Sequence, residues 1–281
     1  MRSFVFLFLS FFICQHTFAQ TTASLEQQLN KSRVRLPNGW HLSPAGRMLP
    51  LGDFPLNIAV SKTQRFMAVT NNGQSVQSLQ LIDPKAEKIL HSIIIPKSWY
   101  GLVFSEDEKF LYASGGNDNW ILKYSIANNR LKLQDSIKLG AKWPAKISPA
   151  GITLDDKAGL LYVVTKENNS LYVVDLRTKK ILHEENLAHE AYACLLSNDR
   201  KELYISSWGG DQVIVFNTAT RSITSKIAVG DNPNELLLNK NGTLLFVANA
   251  NDNSVSVIDI KQRKVLEVLN TALFPDAPTG S

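Results

Sequence analysis

The chain has 281 residues, 44% of them apolar and 20% charged, with a formal net charge of +5. That length supports a sizeable core, in one large domain or two smaller ones, and the composition is globular rather than disordered. The mild basic excess marks a solvated surface before it marks a nucleic-acid face, so a nucleic-acid partner is not expected.

The chain opens MRSFVFLFLSFFICQHTFAQ: Arg2, an apolar run over residues 4–13, then Thr17 and Ala19 at the −3 and −1 positions of a cleavage site. This pattern predicts a signal peptide over residues 1–19 and a product secreted across the inner membrane, periplasmic or extracellular. The run is too short to anchor in a bilayer, and no later segment predicts a membrane span. Cys14 follows Phe-Phe-Ile rather than the small residues of lipoprotein processing, so plain cleavage is preferred to lipidation. The mature chain then keeps Cys194 alone, which rules out an intrachain disulfide. Residues 20–45 follow as an N-terminal segment in which only SLEQQLNKS has a short helical period.

From residue 46 to residue 281 the chain is a repeat. Apolar runs begin at Phe66, Leu111, Leu161, Leu203 and Leu245, spaced by 45, 50, 42 and 42 residues. A second run follows each, ending at Asp83, Ser125, Asp175, Asn217 and Asp259. A third precedes each, ending at Ser61, Ser105, Asp155, Ser197 and Asn239. A weaker fourth closes each unit. Four short β-rich runs per unit, with Gly, Asn, Asp and Lys at the turns, predict an all-β propeller of four-stranded blades, five of them countable. The one long interval falls at KLGAKWPAKISPAG, an insertion between the second and third blades. Asn-Asp runs such as ANDN in LLFVANANDNSVSVIDI read as turn chemistry, because one Asp per loop is thin for calcium.

The segments LYVVTKENNSLYVVDLRTKKIL and LLFVANANDNSVSVIDIKQRKVLEVL resemble the YVTN-type β-propeller repeat. The opening LPNGWHLSPAGRMLPLGDFPLNIAVS and the ending NTALFPDAPTGS are similar to the N-terminal propeller of secreted bacterial proteins that fuse such a propeller to a phosphoesterase of the alkaline phosphatase superfamily. The resemblance implies a ring of about seven blades. On that reading residues 46–281 are incomplete at the C-terminus. In the alternative, five blades close with residues 33–45 as the closing strand. It also implies that the catalytic residues of any metal-dependent phosphoesterase lie beyond this chain.

Within the chain no catalytic constellation is visible. GxSxG, P-loop, GxGxxG and CxxC motifs are absent, and the five histidines lack zinc-ligand spacing. No catalytic residue, cofactor or metal is expected. A propeller lactonase with a channel metal would need inward acids on the first strands, and the aligned positions Leu56, Tyr100, Ala150, Tyr192 and Asn234 offer none. Cys194 aligns with Ile58, Leu102, Ile152 and Leu236 and reads as a buried structural thiol.

A candidate binding face is formed by the turns between second and third strands and by the links between blades. It comprises Asp53, Trp99, Tyr100, Asn117, Asp118, Trp143, Tyr192, Trp208, Asp211, Asp231, Asn234, Asn251 and Asp252, with Lys166 and Glu167 beside them. Tryptophans in such links suit ligand or protein contacts. The expected role is a non-catalytic scaffold for a protein partner or a fused enzymatic domain. The opposite face carries turns that end in Lys or Arg, a basic ring read as a solvated edge. No aromatic residue interleaves with it.

Overall fold

The computed structural model describes residues 47–95 and 97–272, together with 27, 33–35, 39–42 and 274. The signal peptide, Cys14, most of SLEQQLNKS and the segment PDAPTGS lie outside the described residues. Residues 1–50 and 51–281 are separate compact units. In the first, Val34–Arg35 pairs antiparallel with His41–Leu42 as a two-stranded sheet of its own.

The second unit consists of five four-stranded antiparallel meanders, the blades of a propeller. Blade 1 holds Pro55–Val60, Met67–Asn71, Ser78–Asp83 and Lys88–Ile94. Blade 2 holds Leu102–Phe104, Phe110–Ser114, Trp120–Ala127 and Arg130–Lys138. Blade 3 holds Pro149–Asp155, Leu160–Thr165, Ser170–Asp175 and Ile181–Asn186. Blade 4 holds Cys194–Leu196, Glu202–Ser207, Gln212–Asn217 and Ser222–Ala228. Blade 5 holds Pro233–Leu238, Leu244–Asn249, Ser254–Asp259 and Lys264–Asn270, so its four strands all come from its own repeat.

The turns explain why the period survives in the backbone. Before each third strand of blades 2 to 5 stands a left-handed residue: Asn119, Asn169, Asp211 and Asn253, with φ between 48° and 57°. Asn and Asp tolerate this region best after glycine, which accounts for the polar tips of the repeat. The first-to-second-strand turns repeat the device at Gln64, Glu108, Gly159, Arg200 and Gly242.

A strand's alternation divides its side chains between two seams. In blade 3, Leu161 and Val163 pack toward blade 2 with Tyr112 and Ile121, while Tyr162 and Val164 pack toward blade 4 with Leu203 and Ile205. Blade 4 repeats the division, with Tyr204, Val213 and Val215 turned toward Leu245 and Val247 of blade 5. On the terminal blades one face lacks this cover. Ile58 and Val60 pair with Val69 and Met67, opposite Ala59 and Ala68, and are 52% and 55% exposed. Leu237 of blade 5 is 67% exposed.

The basic turns also act at the seams. Lys179 of blade 3 pairs with Asp135 of blade 2, Arg221 of blade 4 donates to the Leu182 carbonyl of blade 3 at 3.3 Å, and Arg263 of blade 5 pairs with Glu202 of blade 4. At the first seam the Leu131 N–H of blade 2 donates to His91 Nδ1 of blade 1 at 3.1 Å. Burial and the Arg130 charge lower the pKa of His91, which favours the neutral ring needed to accept that bond. These charges reach back to the preceding blade rather than standing as a free ring.

Leu203 is fully buried in the seam between blades 3 and 4. Leu203→Ala should cost about 3 kcal/mol, from lost transfer energy and the cavity left behind. The exposed Leu237→Ala should cost under about 0.5 kcal/mol. Urea unfolding followed by circular dichroism measures both, and equal costs would contradict the seam assignment.

Candidate functional site

The link face carries a cavity of about 340 Å³ over the tops of blades 1 to 3. Its walls are Gln77 from a blade 1 turn, Lys97, Ser98 and Trp99 from the first link, Gly116 and Asn117 from a blade 2 turn, Ser148 from the second link, and Lys166 and Glu167 from a blade 3 turn. Hydrogen bonds tie the links to the neighbouring turns. Ser98 Oγ donates to Asn72 Oδ1 at 3.0 Å, and Ser98 N donates to Gln77 Oε1 at 3.2 Å. Ser148 Oγ donates to Asn117 Oδ1 at 2.9 Å. Lys97 pairs with Asp118 at 2.9 Å. Lys166 lies 5.4 Å from the centre of the Trp99 ring and 3.5 Å from Glu190. The result is an aromatic wall beside alternating paired charges, suited to a ligand with both apolar and polar parts.

Of the residues expected on this face, Trp99, Asn117, Lys166 and Glu167 line the cavity and Asp118 anchors its rim. The others go elsewhere. Asp53 Oδ2 accepts from the Ser75 N–H at 3.1 Å and fastens the first turn. Trp143 is 55% exposed beside Lys146. Between blades 4 and 5 the polar residues tie one another down. Asn232 donates from its backbone N–H to Asp211 Oδ1 at 3.1 Å and from Nδ2 to the Trp208 carbonyl at 2.9 Å. Asp231 N–H donates to Asp252 Oδ2 at 2.7 Å, Asn251 donates to Asn232, and the Asn234 carbonyl accepts from Ser206 Oγ at 2.7 Å. These are fasteners of the loop frame. Gln77, Lys97, Ser98 and Ser148 were not singled out in the sequence; no motif marks them.

Tyr100 and Tyr192 instead meet at the propeller axis, with ring centres 4.4 Å apart and planes tilted by 50°. A second cavity of about 180 Å³ lies there, lined by first strands of all five blades and containing Glu235. The Tyr100 hydroxyl donates to the Glu235 carboxylate, with Oε2 at 2.5 Å, a contact from blade 2 to blade 5. This corrects the reading that no acid reaches the channel. The first strand of blade 5 has a register shift between Pro233 and Leu236, and Glu235, one residue beyond the aligned Asn234, lies within it. The aligned positions are Asn57, Gly101, Gly151 and Ala193. A Cβ on Gly151 would lie 2.6 Å from the Tyr192 carbonyl oxygen, and the Gly151 N–H donates to that carbonyl at 2.8 Å. Small residues at Gly101, Gly151 and Ala193 let neighbouring first strands touch, whereas blades 1 and 5 carry the longer Asn57 and Glu235 there. That departure was the available signal.

Cys194 is buried as expected, in the seam with Tyr162, and desolvation pushes its thiol up to about 12, leaving it inert. At the first-to-second-strand turns, Arg200 of blade 4 binds Asp155 of blade 3 at 2.8 Å and also Glu106 of blade 2. Among the described residues no group of three or more His, Cys, Asp or Glu could hold a metal ion, and no helix is long and apolar enough to cross a membrane.

A family model described as "Lactonase, 7-bladed beta-propeller" matches residues 179–273, which take in the last strand of blade 3 and all of blades 4 and 5. No curated protein matches the chain. Among solved structures, a functionally unknown protein from Desulfotomaculum acetoxidans DSM 771 aligns at a TM-score of 0.64 and 17% identity, over 76% of this chain and 71% of that one. Kuenenia stuttgartiensis hydrazine synthase aligns at 0.60 and 16%, over 78% and 66%. Both likenesses show the fold alone. The matched family is seven-bladed, and five blades are described here.

Glu235 is exposed along one side, and the partial desolvation it undergoes against the first strands raises its carboxyl to about 6, so the folded state holds that proton more tightly than the unfolded chain. Stability at this site is therefore full at low pH and falls as pH rises through about 6. Glu235→Gln should match wild type at pH near 4 and melt roughly 2 °C higher at pH near 7.5. Thermal melts at both pH values measure the difference, and an increment independent of pH would contradict a desolvated carboxyl.

Proposed function

We propose that this chain is a secreted, non-catalytic propeller that binds a protein segment on its link face. The carrying observation is the 340 Å³ cavity, in which three successive blade turns and two links bring Trp99, Lys97, Lys166 and Asn117 to one place. A cavity of that size takes one or two side chains of an extended segment. Trp99 supplies apolar area, and Asn117, Gln77 and Ser148 supply hydrogen bonds. The leader at residues 1–19 supports export. The resemblance of the opening and ending segments to propeller–phosphoesterase fusions supports a version in which the bound segment belongs to a fused, metal-dependent phosphoesterase domain.

A second reading, hydrolysis of a lactone in the channel, is favoured by two observations. The lactonase family model matches residues 179–273, and Glu235 lies within that span and faces the axis. It would require Glu235 to act on substrate.

Panning a displayed peptide library against the chain tests the binding reading. Enriched peptides should bind wild type and Trp143→Ala alike, and should lose at least tenfold in affinity on Trp99→Ala or Asn117→Ala, as expected for anchor positions. Peptides that bind Trp99→Ala and Asn117→Ala undiminished would place recognition elsewhere. In parallel, glucono-δ-lactone hydrolysis should not exceed background. A rate lost on Glu235→Gln would replace the scaffold reading with the lactonase one.

A further inference from the structure

The insertion before blade 3 carries a pattern that the scaffold reading leaves unused. Between Asp135 and Asp155 the chain has no acidic residue and places Lys138, Lys142 and Lys146. All three are exposed. Lys97 and Lys166 of the cavity pair with Asp118 and Glu190, whereas among the described residues none of these three pairs with a carboxylate. Trp143 stands between Lys142 and Lys146, is 55% exposed, and lines neither cavity. The Ala145 N–H donates to the Lys142 carbonyl at 3.1 Å, which puts Trp143 and Pro144 at the tip of a closed turn. The base of the insertion is clamped. Asn119 Nδ2 donates to the Ala141 and Ala145 carbonyls at 2.6 and 2.7 Å, and Asn119 Oδ1 accepts from the Ser148 N–H at 2.9 Å. Ile147 packs into the seam between blades 2 and 3, so the base belongs to the core and the tip does not.

We infer that this tip docks on the surface of an anionic lipid bilayer, with Trp143 in the headgroup layer and Lys142 and Lys146 facing the lipid phosphates. The site is separate from the link-face cavity and needs no segment bound there. A tryptophan combines a large apolar ring with one N–H, the combination that favours the membrane–water boundary. Lysines beside it are drawn to an anionic surface, and Lys138 adds charge at the end of the adjoining strand. A protruding tip offers no concavity to a small ligand. A lone exposed ring gives a nucleic-acid strand no succession of stacking platforms. Acids limit the contact to the insertion: Glu167 meets its base, where the Glu167 N–H donates to the Ile147 carbonyl at 3.2 Å, and Asp211, Asp231 and Asp252 stand on blades 4 and 5.

The test is co-sedimentation of the chain with large unilamellar vesicles, either of equal parts phosphatidylglycerol and phosphatidylcholine or of phosphatidylcholine alone. Saturable binding is expected only to the anionic vesicles, weakening as salt is raised. Trp143→Ala should lose about fivefold or more in affinity, and Lys142→Gln with Lys146→Gln about tenfold or more. Lys85→Gln with Lys88→Gln makes the same change of net charge on the opposite face and should bind like wild type. Tryptophan emission should shift to the blue on adding anionic vesicles in wild type and not in Trp143→Ala. All of these positions are exposed, and circular dichroism checks that each variant is folded. The inference is overturned if anionic vesicles do not bind, if phosphatidylcholine alone binds equally, if Trp143→Ala binds undiminished, or if the Lys85 and Lys88 variant loses as much as the Lys142 and Lys146 one. Peptide binding at the link face is measured without vesicles, so the two sites succeed or fail separately.

Discussion

A four-stranded blade has two apolar faces and no interior of its own. Everything else in this molecule depends on how those faces are covered. Leu161 and Tyr162 are adjacent in sequence and buried in different seams, so each strand of an inner blade serves two neighbours at once. Stability is then a matter of neighbours, as in repeat proteins generally. The polar contacts follow the same logic. Lys179, Arg221 and Arg263 each reach one blade back, and Ser114 and Ser206 each donate to the first strand of the next blade, at Pro149 and Asn234. The uncovered faces at Ile58 and Leu237 show what a blade looks like where that neighbour is lacking among the described residues.

The repeat was legible because its determinants are local. Left-handed Asn and Asp at the turns and alternation in the strands are written within a few residues of one another, and the strand boundaries fall where the runs place them. The site was legible only in part. Trp99 and Asn117 could be assigned to the link face from their place in the repeat, and the cavity holds both. Asp211, Asp231, Asn251 and Asp252 have the same place in the repeat and are spent on fastening loops, a distinction that depends on partners about twenty residues away. The basic turns were likewise readable as a ring of charge but not as clamps. Asp135 and Glu202, the partners of Lys179 and Arg263, belong to other blades.

Glu235 was missed for a geometric reason. The aligned first-strand position of blade 5 is Asn234, and Glu235 stands one residue beyond it, inside a ladder shifted between Pro233 and Leu236. The same shift occurs between Pro149 and Ile152 and between Pro55 and Asn57, so it belongs to the blade design. Bulges redirect side chains, and Glu235 lies in one and lines the axial cavity. The better guide was residue size. Gly101, Gly151 and Ala193 occupy a position where first strands meet closely, and a long acid in that series needs space that only the axis provides.

The two cavities arise from opposite features of the repeat. The link-face cavity sits at the irregular links, beside the insertion before blade 3, where Ser148 and Asn119 are drawn together by a 2.9 Å hydrogen bond. Irregular loops on a rigid frame are free to vary without disturbing the seams. The axial cavity instead lies on the most constrained part of every blade, and any side chain there is set by five first strands together. A loop site can adapt to a flexible segment, whereas the axial site is fixed by the first strands that frame it. The linings of the two cavities share no residue, and across them only Trp99 and Tyr100 are neighbours in sequence, so a change in the loop lining leaves the axial one in place.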